Sequence, residues 1–102
     1  MWANVSHWTL QAERIEDERL VHDALTDASE MVARQPGFVQ FRAIRPSPDR
    51  LVVVTLWESA DAARRAATLT PMVKDFYANY VASAELISGE VILTREAEPP
   101  QA

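Results

Sequence analysis

Residues 36–65, PGFVQFRAIRPSPDRLVVVTLWESADAARR, decide the fold, because they place a turn, a strand, a loop, a second strand and a helix start in immediate succession. Pro36-Gly37 is a turn pair, and residues 38–45 after it read as a strand. Residues 46–49 hold two prolines and cannot easily continue that strand. Residues 51–57 form a second run, rich in β-branched side chains, that can fold back on the first as a hairpin. Ser59 then stands where a helix cap is needed, with Asp61 in the first turn.

Working outward toward the N-terminus, a helix is expected over about residues 13–34. Leu20, Val21, Ala24, Leu25, Ala28, Met31 and Val32 recur there at helical spacing, with Glu16, Asp17, Arg19, Asp23, Asp27 and Glu30 on the complementary positions. Acidic residues early and Arg34 at the end suit the helix dipole, and Pro36-Gly37 stops the helix. Residues 2–10 alternate as a first strand, with Trp2, Asn4, Ser6, Trp8 and Leu10 on one side and Ala3, Val5, His7 and Thr9 on the other. Toward the C-terminus, Thr70-Pro71 reads as a restart of the second helix, Thr70 as cap and Pro71 at the first helical position. Its second part, over about residues 72–82, puts Val73, Phe76, Tyr77 and Tyr80 on neighbouring faces. A last strand centred on Val91-Ile92-Leu93 follows Gly89, and residues 96–102, with two prolines, form a loose tail beyond a domain of residues 1–95.

The element order β-α-β-β-α-β is that of an α+β, ferredoxin-like fold, a four-stranded antiparallel sheet with its helices on one face. The other face would stand open with several apolar side chains, and two such faces can cover each other. A homodimer is therefore expected. At 102 residues the chain is one domain, and folding removes only roughly two thirds of the unfolded chain's surface from water, so self-association adds useful burial.

A net charge of -5 argues against a nucleic-acid partner, which calls for a basic face. No apolar run approaches the roughly 20 residues that cross a bilayer, so no membrane partner is expected. The first residues, Met1 to His7, carry neither Lys nor Arg and no apolar signal core, which makes the cytoplasm the expected location. The absence of cysteine removes disulfides, thiolate metal sites and thiol nucleophiles together. With His7 and His22 the only histidines, a histidine-rich metal cage is not expected either.

Pro36-Gly37-Phe38 and Trp57-Glu58-Ser59, set in this element order, resemble the antibiotic biosynthesis monooxygenase (ABM) domains of the dimeric α/β-barrel superfamily. There Pro-Gly-Phe begins the second strand, and Trp-x-Ser ends the third and leads into an Ala-rich helix. The resemblance implies a homodimer in which two sheets close into a barrel, and a pocket between helices and sheet. It also implies an oxygenase that uses no bound cofactor and acts on a small aromatic, phenolic or quinol-like compound. The rival is a noncatalytic small-ligand-binding or stress-related dimer with no base beside its pocket. A haem-degrading branch of the family pairs a first-strand Asn with a Trp and a His on the second helix. Asn4 answers the first, but residues 60–82 contain neither His nor Trp, so no haem is expected.

Deprotonating a quinol-like substrate yields an anion that passes an electron to oxygen directly, so the protein must position it, take a proton and stabilise charge. The catalytic candidates for this work are His7, Arg42, Tyr77 and Tyr80, and the pocket candidates are Asn4, Ser6, Trp57 and Phe76. Imidazole is the side chain whose ordinary titration falls near neutrality, which makes His7 the sharpest candidate for a base. A lone strand histidine more commonly meets a neighbour or solvent, and parity sets His7 and Asn4 on opposite faces of a regular strand. Arg42 in an apolar strand needs a partner and could equally sit at a dimer seam. Trp57 reads first as a packing residue whose indole asks for one N–H partner, and Tyr77 and Tyr80 as core-edge phenols or substrate donors.

Overall fold

The computed structural model describes residues 1–11 and 18–97. The expected helix start at residues 13–17 and most of the expected tail lie outside them. The described elements are β1 (Trp2–Leu10), α1 (Glu18–Ala33), β2 (Phe38–Ser47), β3 (Arg50–Trp57), α2 (Ala60–Ala67), α3 (Leu69–Phe76) and β4 (Val81–Glu90). The strands form one antiparallel sheet in the order β2-β3-β1-β4, the ferredoxin-like arrangement, with the helices on one face. Among the described residues no helix is long and apolar enough to cross a membrane.

The hinge of this architecture is the turn between α1 and β2. Gly37 has φ 83°, a left-handed conformation natural to glycine, and its carbonyl accepts a hydrogen bond from the Glu58 amide at 2.9 Å. This ties the start of β2 to the end of β3. Ser59 caps α2 as expected, its hydroxyl accepting from the Ala62 amide at 3.1 Å.

Four boundaries differ from expectation. β2 continues through Pro46 to Ser47, because β2 is an edge strand and a proline there removes no ladder hydrogen bond the sheet needs. The second helix breaks at Thr68, not at Thr70: Thr68 flanks both segments, and Pro71 falls third in α3, still within the first turn, whose amides have no intrahelical partner. α3 ends at Phe76, and Tyr77 to Tyr80 form a turn closed by the Val81 amide on the Tyr77 carbonyl at 2.9 Å. The last strand is Val81–Glu90, not a segment about Ile92. β4 pairs along the whole of β1, and Trp2 opposite Glu90 is its last pair; beyond it only the Val91 amide reaches the Met1 carbonyl, at 2.9 Å. Gly89, expected to precede the strand, lies inside it opposite Ala3.

Register assigns every strand side chain to a face. Asn4, Thr55 and Ser88 share one row, as do Ser6, Val53 and Leu86, and Trp8, Leu51 and Ala84; these rows lie beneath the helices. The open face carries Val5, Val54, Arg42 and Ile87 in one row and His7, Val52, Ile44 and Glu85 in the next. Under the helices the core divides into two clusters. Trp57, Ala62, Ala63 and Ala66 form one, with Trp2, Val32 and Phe38 against it. Leu10, Leu51 and Val81 form the other, with Trp8, Val21, Leu25 and Tyr77.

Candidate functional site

Between those clusters the helices stand off the sheet and leave a cavity of about 140 Å3 that is partly open to solvent. β1 and β3 form its floor, α1 one wall, and α3 with the turn after it the other. This explains why α1, although amphipathic, has no fully buried residue: Val21, Leu25 and Ala28 face the cavity.

The polar side chains on the floor each have a partner, although among the described residues the Thr55 hydroxyl accepts without donating and Asn4 uses one of its two amide hydrogens. Asn4 is buried; its amide donates to the Ala63 carbonyl on α2 at 2.8 Å, and its oxygen accepts from the Ser88 hydroxyl on β4 at 2.5 Å. One side chain thus ties together three elements that are 59 and 84 residues apart in sequence. The Ser6 hydroxyl accepts from the Trp8 indole at 2.8 Å and contacts the Val53 carbonyl at 3.4 Å. Trp57 is fully buried and donates to the Thr55 hydroxyl at 2.8 Å. The opposite situation holds on the α3 wall, where the hydroxyls of Thr70, Tyr77 and Tyr80 make no hydrogen bond among the described residues.

None of the described lining residues is Asp, Glu, Lys, Arg or His, which leaves the two tyrosines as its titratable groups. Burial, and secondarily the negative charge of Asp27 on α1, push the Tyr77 phenol above its usual pKa. At neutral pH it is a protonated donor. Phe76 meets the Tyr77 ring edge-on, with centroids 4.8 Å apart.

Of the eight residues singled out in the sequence, the cavity gathers Asn4, Ser6, Trp57, Tyr77 and Tyr80. It does not gather His7, Arg42 or Phe76. His7 is exposed on the open face, a position that follows from its parity opposite Asn4. Arg42 is exposed on that same face and donates to the Gln40 side chain at 3.1 Å. Phe76 is 80% exposed, because the α3 positions turned toward the cavity are Leu69, Thr70 and Val73. Sequence reasoning passed over Trp8, Thr55 and Thr70 as lining residues. Parity with Ser6 and Trp57 marks the first two; Thr70 reads from the sequence as a cap.

A family model described as antibiotic biosynthesis monooxygenase matches residues 10–79. The chain belongs to the antibiotic biosynthesis monooxygenase family. A search of curated proteins found no match. Among solved structures, the fold is similar to SnoaB, a cofactor-independent oxygenase from Streptomyces nogalater, at 21% identity and a TM-score of 0.69 over 91% of this chain and 94% of that one. It is also similar to an ABM protein from Deinococcus radiodurans, at 12% identity and a TM-score of 0.77 over 97% of this chain and 100% of that one. A MhuD variant with two manganese protoporphyrin IX molecules per active site gives 21% identity and a TM-score of 0.70 over 95% and 100% of the two chains. At these identities the likeness is one of fold.

This ABM chain does not fit a porphyrin in its cavity. α2 and α3 contain no histidine or tryptophan, so neither helix offers an imidazole to a haem iron or an indole to stack on the ring. Among the described residues no three His, Cys, Asp or Glu side chains gather as a metal site would require.

Proposed function

We propose that this protein is a cofactor-independent monooxygenase acting, as a homodimer, on a small aromatic or quinol-like compound. The observation that carries the proposal is the apolar cavity of an ABM-family chain, with uncommitted hydroxyl donors on one wall. A quinol brings all four electrons the reaction needs. One atom of O2 enters the ring, the other leaves as water with two hydrogens of the quinol, and the product is the hydroxylated quinone. The chain's own part is to hold the anion and meet its oxygen with O–H donors. The printed description of SnoaB as a cofactor-independent oxygenase is consistent with such chemistry.

With no described base on the lining, the substrate's proton passes to water, and the rate follows the substrate's own ionisation. Oxygen consumption measured with several ring-substituted quinols, without metal or flavin, is expected to show a pH midpoint that shifts with each quinol's pKa. The His7→Ala variant is expected to leave those midpoints in place. A midpoint common to all substrates would overturn the baseless mechanism. No uptake across the panel by folded protein would favour the rival reading, a noncatalytic ligand-binding protein, as does the same lack of a base.

The dimer is supported by the open sheet face, where Val5, Val52, Val54 and Leu56 are half-buried and Ile44 and Ile87 are 52% and 65% exposed. A second copy of that face would remove these side chains from water. Light scattering at micromolar concentration is expected to give twice the chain mass, and Val54→Glu to give one chain mass; a folded wild-type monomer would contradict the assembly.

A further inference from the structure

We propose that the open sheet faces of two protomers pack with opposite edges together, so that Arg42 on β2 of each protomer meets Glu85 of the partner subunit on β4. Resting on the homodimer reading, this arrangement goes beyond it by setting the two-fold axis along the strands and by naming the side chains that select it.

The charges on the open face are segregated by edge. In the sheet order β2-β3-β1-β4, the edges are β2 and β4. Arg42 lies on the first, in the row that continues through Val54 and Val5 to Ile87. Glu85 lies on the second, in the next row, which runs from Ile44 through Val52 and His7. Between the edges the two inner strands present Ala3, Val5, Val52, Val54 and Leu56 to the same side, all half-buried. An apolar centre with one cationic and one anionic margin has the layout of an interface core and its polar rim. His7 and Arg50, the other basic side chains of this face, lie on the inner strands and leave the contrast between the margins intact.

Both marginal charges lack an opposite within the chain. Arg42 and Glu85 are exposed, and among the described residues neither forms an ion pair; Arg42 donates to the Gln40 side chain at 3.1 Å. They cannot meet each other in one protomer, because three strand spacings, roughly 14 Å of sheet, separate them.

Two aligned sheets stacked about 10 Å apart can be related by a two-fold axis that runs either across the strands or along them. An axis across the strands lays each edge on its own copy. Arg42 then shares a margin with Arg42 of the partner subunit, Glu85 shares one with Glu85 of the partner subunit, and no opposite charge is in reach. An axis along the strands lays β2 on β4 and β3 on β1. The apolar centre is covered in either case, since inner strands meet inner strands, so electrostatics separates the two arrangements. Crossed edges give two Arg–Glu pairs per dimer, whereas like edges gather like charges. The one-row offset between Arg42 and Glu85 amounts to two residues, roughly 7 Å along the strand, which a long arginine side chain and the angle of about 30° between packed sheets accommodate.

A double-mutant cycle on dimer affinity, read by sedimentation equilibrium of the full chain, tests this orientation. Arg42→Glu and Glu85→Arg are each expected to raise the dimer dissociation constant roughly 100-fold, about tenfold for each of the two like-charged contacts created. Both substitutions in one chain are expected to return it to within about threefold of wild type, and an equimolar mixture of the two single variants to form a heterodimer of similar affinity. Because the two positions are too far apart to interact within a chain, such recovery places them across the interface. Circular dichroism and thermal unfolding check that each variant is folded, and Arg42→Gln with Glu85→Gln runs the same cycle with smaller effects should a reversal disturb an edge strand. A dimer whose single reversals leave its affinity unchanged, or whose losses add in the double variant, overturns the crossed arrangement and keeps the homodimer. A folded wild-type monomer overturns both.

Discussion

Trp57→Ala is expected to destabilise the fold by about 3–5 kcal/mol, the range for removing a buried tryptophan. Trp57 is fully buried, and its neighbours on α2 are Ala62, Ala63 and Ala66, whose methyl groups cannot reach into the space an indole leaves. The Phe38 ring, edge-on at 5.8 Å, loses its partner, and the buried Thr55 hydroxyl loses its donor. Trp57→Phe separates these effects: it retains most of the packing and gives up the N–H, for an expected cost of about 1–2 kcal/mol. Denaturant unfolding at one fixed protomer concentration is the measurement, since dimerisation makes apparent stability depend on concentration. A loss below about 1 kcal/mol for the alanine variant would show that the indole does not hold α2 to the sheet.

The parts of this fold governed by local chemistry were legible in the sequence. Pro36-Gly37, the β-branched run before Trp57 and the Ser59 cap each act within a few residues, and each lies where it was read. The boundaries that moved are set by partners distant in sequence. β4 stops at Glu90 because β1 begins at Trp2, and β2 tolerates Pro46 because nothing lies beyond that edge. The site divides in the same way. Alternation showed that His7 and Asn4 face opposite ways, but both sides of β1 carry apolar residues, so alternation could not say which side the helices cover. The roles of Asn4 as a three-element clamp and of Tyr77 as a protonated donor depend on Ala63, Ser88 and Asp27, far away in the chain. An Asn in the first strand therefore looked like a pocket polar group, whereas its hydrogen bonds go to the scaffold.

The second large effect is expected at Gly37. A Cβ added there would sit 2.6 Å from the Cβ of Ala62, closer than two carbons approach, on a backbone with φ +83°. Two costs combine. Holding an L-residue in the left-handed region costs roughly 1–2 kcal/mol, and overpacking a filled contact adds roughly 1–3 kcal/mol. Gly37→Ala is thus expected to lose about 2–5 kcal/mol in all. The steric part cannot be relieved by a rotamer change, because the opposing atom is a Cβ carried by the α2 backbone. That helix cannot withdraw freely, being held by the Ser59 cap and by Asn4 on the Ala63 carbonyl. Combining Gly37→Ala with Ala62→Gly removes the clash and leaves the backbone term, so a double-mutant cycle should show a favourable coupling of roughly 1–3 kcal/mol. Additive losses would mean that α2 shifts to accept the methyl group. In that event Ala66, which lines the cavity from the same helix, would shift too, and the cavity would change shape while the protein remained folded.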